Sequence, residues 1–320
     1  VERSRGLGDV YKRQLCVASL MAVTIFWSAW GTRAVIPYLP KAERLETISI
    51  IAVFIRLLRD FQSVAQNRNF RFLFTGILIV YIMVGVTWTL DLYMISYFWE
   101  LDDTFVLPVV IAFAVGNAVG TFLSVKLFSL FGKKACLIAG ALAYAFFQTL
   151  PVVLRLVGWF PENDNLIVIG SATFPLVMIT LVLIKLLQGL VTAQAQVAFG
   201  SMIADVCDEH EHLTNRRQEG AFFAALSFSS KSTYGLGAVL AGLSLEFINW
   251  PTGPEIRSAA DVAPDTIVNL GILAGPFIGL LGFISLWFFS QYRLTPVQHK
   301  KILAIIEARG RGHLNDIKNS

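Results

Sequence analysis

The sequence predicts an all-α, multi-pass membrane protein, and three observations predict it. Hydrophobic residues make up 55% of the chain and charged residues 15%, with a mean hydropathy of +0.64; soluble domains carry about 25% charged residues. Seven apolar segments reach the roughly 20 residues that a helix needs to cross a ~30 Å hydrocarbon core. The loops between them alternate in sign, basic then acidic, which is the asymmetry that orients membrane helices.

In chain order, residues 1–14, VERSRGLGDVYKRQ, are polar and lack the apolar core of a signal peptide. RGLGDVYKRQ looks like translated adapter sequence, and the chain does not begin with methionine. Residues 1–14 are therefore expected to be non-native, and the chain to be a fragment truncated at its N-terminus. Residues 15–32 form the first span. Residues 33–71 make a connection too long for a hairpin turn. Within it, Thr47 to Phe61 sets Ile, Val, Phe and Leu against Arg56, Arg59 and Asp60 at helical spacing, which predicts an amphipathic helix on the membrane surface. Six further spans follow in residues 72–295: Phe72 to Trp99, Val106 to Leu130, Ala135 to Val157, Phe174 to Ala204, Ala221 to Phe247 and Ile267 to Tyr292. Residues 296–320 are a polar tail.

The basic loops hold Arg33 to Arg71, Lys133-Lys134, Arg216-Arg217 and the tail. The alternate loops hold Glu100, Asp102 and Asp103, then Glu162 and Asp164, then Glu246 to Asp265. The basic side is expected to be cytoplasmic, which puts the middle loop and the C-terminus inside the cell and the helices in the cell (inner) membrane. No basic patch with interleaved aromatics suggests nucleic acid. Cys16, Cys136 and Cys207 are isolated, with no CxxC pair. No nucleophile, zinc or nucleotide-binding motif is present, so an enzyme is not expected, nor a cofactor or metal. His210 and His212 with Cys207, Asp208 and Glu209 match no strong zinc spacing.

Polar residues inside the spans carry the functional expectation. Lys231 lies eleven residues from Gly220, roughly 16 Å along a helix, and an ammonium so deep costs at least ~2.5–3.5 kcal/mol. It should face a polar interior with Ser227 and Tyr234. Lys185, Gln188, Thr192 and Gln196 fall within roughly 80° of one another on their helix. Asn117, Thr121 and Ser124 repeat at i, i+4 and i+7. Three polar stripes imply one hydrated cavity near the bilayer midplane, although Asn117 and the hydroxyls serve equally as interhelical glue. Asp91 is either a partly solvated interfacial carboxylate or part of the cavity entrance. Trp88 stacks on a sugar ring or sits in the aromatic belt. Gly116 with Gly120, and Gly235 with Gly237 and Gly242, are expected to let helices approach closely.

From Ser201 to Lys231 the chain reads SMIADVCDEHEHLTNRRQEGAFFAALSFSSK, a dense charged turn feeding the sixth span. This stretch resembles the signature of the glycoside–pentoside–hexuronide:cation symporters, the melibiose permease-like group of the major facilitator superfamily. The matching residues are Ala204-Asp205, the acidic run Asp208 to Glu211, Arg216-Arg217, Glu219-Gly220, Phe222-Phe223 and Lys231. FGKK, from Phe131 to Lys134, resembles the family's turn between helices eight and nine.

The resemblance implies a twelve-helix fold in two halves, of which this chain would hold helix six, the middle loop and the C-terminal six-helix half. It implies cation-coupled symport of a sugar-like solute by alternating access, in a protein that is a monomer when full length. The coupling ion, Na⁺ or H⁺, would be held mainly by helices two and four, outside this chain. Lys231 would be the helix-eleven lysine near the sugar and cation sites. Asp205, Asp208, Arg216, Arg217 and Glu219 would form a cytoplasmic gate. Related proteins move lysophospholipids, which leaves the solute class open. A seven-helix receptor or retinal protein fits the span count and the buried lysine, but no signature supports it.

Overall fold

A computed structural model describes residues 2–38, 50–169, 172–253, 256 and 258–319. The chain divides into two units, Val1–Phe54 and Ile55–Ser320. The first unit carries α1 (Glu2–Thr32), which ends in a 3₁₀ turn at Arg33–Tyr38. Residues 2–14 are continuous with this helix, and side chains such as Phe26 and Trp30 are exposed along it. Of the amphipathic segment expected over Thr47 to Phe61, residues 47–49 lie outside the described residues. The rest belongs to α2 (Ile50–Gln66).

The second unit is a helical bundle. α3 (Arg68–Tyr93) starts where Asn67 caps it, its side chain accepting from the Phe70 N–H at 2.9 Å. A π turn at Met94–Phe98 ends that span. α4 (Asp103–Phe131) and α5 (Lys133–Leu156) meet at Gly132, whose φ of 81° suits glycine. A short antiparallel hairpin follows, β1 (Leu166–Ile169) with β2 (Ala172–Pro175), built on the β-branched run Ile167-Val168-Ile169. Next come α6 (Leu176–Thr214) and α7 (Glu219–Phe247). α8 (Pro264–Ile272) and α9 (Ile278–Ser290) form one span through a π turn at Leu273–Phe277. That turn accommodates Pro276, which has no N–H to donate. α10 (Pro296–Asn319) makes the polar tail helical and packs on α6.

Two expectations change. Among the described residues six helices are long and apolar enough to cross a membrane, not seven. The helix that falls short is α7. It has 29 residues, but Ser227, Ser229, Ser230, Lys231, Ser232 and Thr233 follow one another closely and dilute its hydropathy. The dense charged turn is also mostly helix. α6 runs 39 residues to Thr214, roughly 58 Å, so Asp205, Asp208, Glu209 and Glu211 project from helical turns beyond the apolar stretch. The chain reverses only at Asn215, which takes the left-handed conformation at φ 54°.

Two apolar layers hold the bundle. One, around Phe70, Leu137, Met202, Phe222 and Phe289, lies toward the end where α4 meets α5; the other, around Leu90, Phe98, Leu181, Leu270 and Ile278, lies toward the opposite end. Between the layers α4 and α6 touch backbone to backbone. A methyl group at Gly116 would collide with the Leu186 carbonyl, one at Gly120 with that of Leu190, and one at Gly189 with that of Phe113. Gly237 meets Gly85 of α3 in the same way, whereas Gly235 and Gly242 meet nothing within 4 Å. Gly189→Ala is therefore expected to destabilise the bundle by about 1–3 kcal/mol through overpacking. A lowered melting temperature in detergent checks this, with Gly242→Ala as the neutral control.

Candidate functional site

A cavity of about 490 Å³ opens between α3, α4, α5 and α6. Four of the expected site residues line it: Trp88, Asp91, Lys185 and Gln188. The helix periodicity that builds it is simple. Thr87 and Asp91 on α3, Ile95 in the π turn and Trp99 just after it follow at intervals of four and descend one wall. On α5, Tyr144 and Gln148 are also four apart, and on α6 Lys185 precedes Gln188 by three. Asp91 lies seven residues from Phe98 and Lys185 nine from Leu176, roughly 10 and 14 Å from the helix ends that carry Glu100 and the hairpin. The charges thus form a layer inside the bundle.

Gln148 ties that layer together. Its Oε1 accepts from Gln188 Nε2 at 3.0 Å and from Lys185 Nζ at 3.5 Å. Asp91, open to either an interfacial or a cavity position on sequence grounds, is placed in the cavity. Gln188 is 1% exposed and its Oε1 has no protein partner. Nearer the helix ends the lining becomes apolar, with Ile95, Leu101, Val106, Val109 and Leu181. Trp99 closes this rim. The Arg155 guanidinium lies 5.5 Å from its ring, and Asn163 Nδ2 donates to its carbonyl at 2.9 Å.

The three polar stripes do not converge on one cavity. Thr192 donates to the Gln188 carbonyl and Ser124 to that of Gly120, each within its own helix. Asn117 Nδ2 donates to Gln196 Oε1 at 3.3 Å, outside the cavity lining. The glycine contact between α4 and α6 is the physical reason, because it closes the space between Gln188 and Gln196. Tyr234 is also outside the cavity. Its ring stacks on Trp88 at 5.5 Å, so one face of the tryptophan is already covered, and lies 5.8 Å from Tyr81. Lys231 and Ser227 are exposed. α7 packs on α3 through Ser229, Thr233, Gly237 and Ala241, which turns the Lys231 stripe away from α3.

The opposite end of the bundle carries a polar network. Lys133 Nζ pairs with Asp205 at 2.7 Å, and His299 Nε2 donates to Asp208 at 2.8 Å while its Nδ1 lies 3.7 Å from Asp205. Asn67 and Asn69 both donate to Glu209, and Asn69 Oδ1 accepts from the Arg293 N–H. Gln218 donates to Asp60 at 2.8 Å and accepts from His210 Nε2 at 2.7 Å. Lys134 donates to the Ser290 and Tyr292 carbonyls at the end of α9. Burial, then the carboxylates of Asp205 and Glu209, push the Tyr292 phenol above its ordinary range. Arg217 pairs with Glu211 at 2.9 Å and with Glu219. Burial opposes the Arg217 charge, but these carboxylates outweigh it and raise its pKa. Arg216, expected to pair as well, makes only a backbone contact with Thr214 and no ion pair among the described residues.

Asp205, Asp208, Arg217 and Glu219, expected as a gate, are each paired in this network. The network's Lys133, His299, Asn67 and Asn69 were missed because they come from distant elements. Gln148 was missed too, although a glutamine four residues after a tyrosine in an apolar helix was a readable signal.

Comparison with curated proteins finds no match. The family described as MFS/sugar transport protein matches residues 14–296, which takes in the cavity, every spanning helix of the bundle and the polar network apart from His299. With helices that cross a membrane and a polar layer enclosed among them, the chain is a multi-pass membrane transporter, not an enzyme, and belongs to the MFS/sugar transport protein family.

Proposed function

We propose that the protein is a secondary active transporter of the glycoside–pentoside–hexuronide:cation symporter group, moving a sugar or glycoside-like solute with Na⁺ or H⁺ by alternating access. The observation that carries this reading is the enclosed layer of Asp91, Lys185, Gln148 and Gln188 in spanning helices. Such groups are costly in a membrane unless they meet a polar solute or an ion. Carboxylate, ammonium and amide groups together supply the donors and acceptors that a polyol needs.

In this reading residues 15–32 are helix six, residues 33–71 the middle loop, residues 72–295 the C-terminal bundle and residues 296–320 the tail. The network at Asp205, Asp208, Arg217 and Glu219 is the gate, on the cytoplasmic side of the cell membrane because the basic loops gather there. Lys231 is the internal cation. Its exposure on α7 suits an ammonium that meets carboxylates of the N-terminal bundle and yields them to the coupling ion. A second reading, transport of a lysophospholipid, is favoured by the apolar outer part of the cavity.

The test is uptake of radiolabelled hexosides into proteoliposomes carrying the full-length transporter under an imposed Na⁺ or H⁺ gradient. Uphill accumulation is expected, and Lys231→Ala should abolish it while leaving membrane insertion intact. Lys231→Arg should rescue poorly, since a planar guanidinium differs from ammonium in shape and hydration. Accumulation of no hexoside under either gradient refutes the sugar reading. Full accumulation by Lys231→Ala removes that lysine from the mechanism.

A further inference from the structure

We infer that a groove between α6 and α10, at the end of the bundle where the basic loops gather, holds the phosphate headgroup of an anionic phospholipid. The assignment goes beyond the transport reading and stands whatever solute or ion the protein moves. The groove has a volume of about 390 Å³ and shares no residue with the cavity among the spans. His212 of α6, Arg293 just past the α9 span and Gln298 and Lys301 of α10 meet there. Gln298 and Lys301 lie beyond the residues that match the family, so the tail supplies part of the site.

The polar groups of the groove that remain open to a ligand are donors. Arg293 and Lys301 are exposed, and among the described residues neither side chain has a carboxylate within ion-pairing distance. Gln298 Oε1 accepts from the Thr295 N–H and hydroxyl, each at 3.0 Å, which leaves the amide nitrogen to donate. His212 carries a buried ring nitrogen, Nδ1, with no protein partner, and a protonated imidazole donates from both nitrogens. The one carboxylate, Glu209, already accepts from Asn67 and Asn69 through both of its oxygens. A guanidinium, an ammonium and an amide beside an occupied carboxylate suit an anion with several acceptor oxygens, which is what a phosphate offers.

Position and apolar lining point to a lipid as the source of that phosphate. Arg293 follows the last residue of α9 by three, and Asn69, also in the lining, lies in the first turn of α3. The groove therefore sits where two spans end. Next to these residues in sequence, Arg68 lies 5.6 Å over the Phe72 ring, and Trp287, 57% exposed, packs edge-on against the same ring. Tryptophan and arginine gathered at the end of a span mark the headgroup level. The rest of the lining is Leu213, Leu294, Ile302 and Ile305, of which Leu213 and Ile305 are exposed. A free phosphate leaves these side chains against water, whereas the glycerol and acyl carbons of a phospholipid cover them.

The test is native mass spectrometry of the full chain released from micelles holding equal amounts of phosphatidylglycerol and phosphatidylethanolamine with the same acyl chains. Phosphatidylglycerol should be retained at least about fivefold more, the factor expected from a single Lys or Arg near a lipid surface. Arg293→Gln with Lys301→Gln should bring the two lipids to within about twofold of each other. Arg293→Lys with Lys301→Arg keeps both charges and should keep the preference. Lys300→Gln removes the same charge one residue away, outside the groove lining, and should keep it too. Millimolar glycerol 3-phosphate should leave the lipid in place. Equal retention of the two lipids by the unmodified chain overturns the inference. So does a preference that survives the loss of Arg293 and Lys301, or one that Lys300→Gln removes as fully. Displacement of phosphatidylglycerol by glycerol 3-phosphate overturns the lipid assignment in favour of a soluble phosphate.

Discussion

Glu209→Ala is expected to lower the stability of the bundle by about 2–4 kcal/mol, since each hydrogen bond to a charged group is worth about 1.5–3 kcal/mol. Glu209 receives Asn67 Nδ2 at 3.1 Å and Asn69 Nδ2 at 2.9 Å. Both asparagines are buried, so losing the carboxylate leaves two amide groups without it. The consequence spreads because each asparagine has a second task. Asn67 caps α3, and Asn69 accepts the Arg293 N–H that leads into α10. Glu209→Gln keeps one carbonyl acceptor and should be milder. The reporters are already present: Cys136 and Cys207 are buried and Cys16 is exposed. Thiol labelling on heating should reach the two buried cysteines at a clearly lower temperature in Glu209→Ala. An unchanged labelling temperature would mean that these hydrogen bonds do not hold α6 to α3.

The second large effect is expected at Asp91. Asp91 and Lys185 are the two charged residues lining the cavity, so Asp91→Ala leaves the ammonium as its one charge and Lys185→Met leaves the carboxylate. Isolated buried charges are costly, so the double change should destabilise by less than the sum of the two single changes. The coupling is expected at about 0.5–3 kcal/mol, the range for neighbouring groups. It should fall toward the lower end if water in the cavity screens the pair. Unfolding midpoints of the four proteins in one detergent give the coupling. A value of zero would show that the two charges act independently and would separate them as site residues.

The spans were readable because hydropathy is a local property of each segment, and so was the presence of charge inside them. Lys185 and Gln188 share a helix face by arithmetic alone. What periodicity could not supply was the partner across the gap. Gln148 stands 40 residues from Gln188, and nothing in its own helix shows that its carbonyl oxygen accepts from α6. The charged network at the other end follows the same rule. Arg217 reaches Glu211 and Glu219 within one short reversal, and its pairing was legible. Glu209 reaches back 140 residues to Asn69, and that contact was not.

By itself, then, the sequence determined that this is an all-α membrane protein with a charged reversal before its α7 helix, and it named lysines that lipid could not accommodate. Those conclusions rest on transfer free energies that each segment carries wherever it is placed. The tertiary structure decided which polar stripes meet. Three glycines let α4 and α6 touch, so Gln188 turns into an enclosed cavity while Gln196 pairs with Asn117 outside it. The seam of α7 on α3 likewise leaves Lys231 on the exposed side. Steric contact between backbones distant in the chain has no signature in the hydropathy of either one, and that contact sets where the polar groups point.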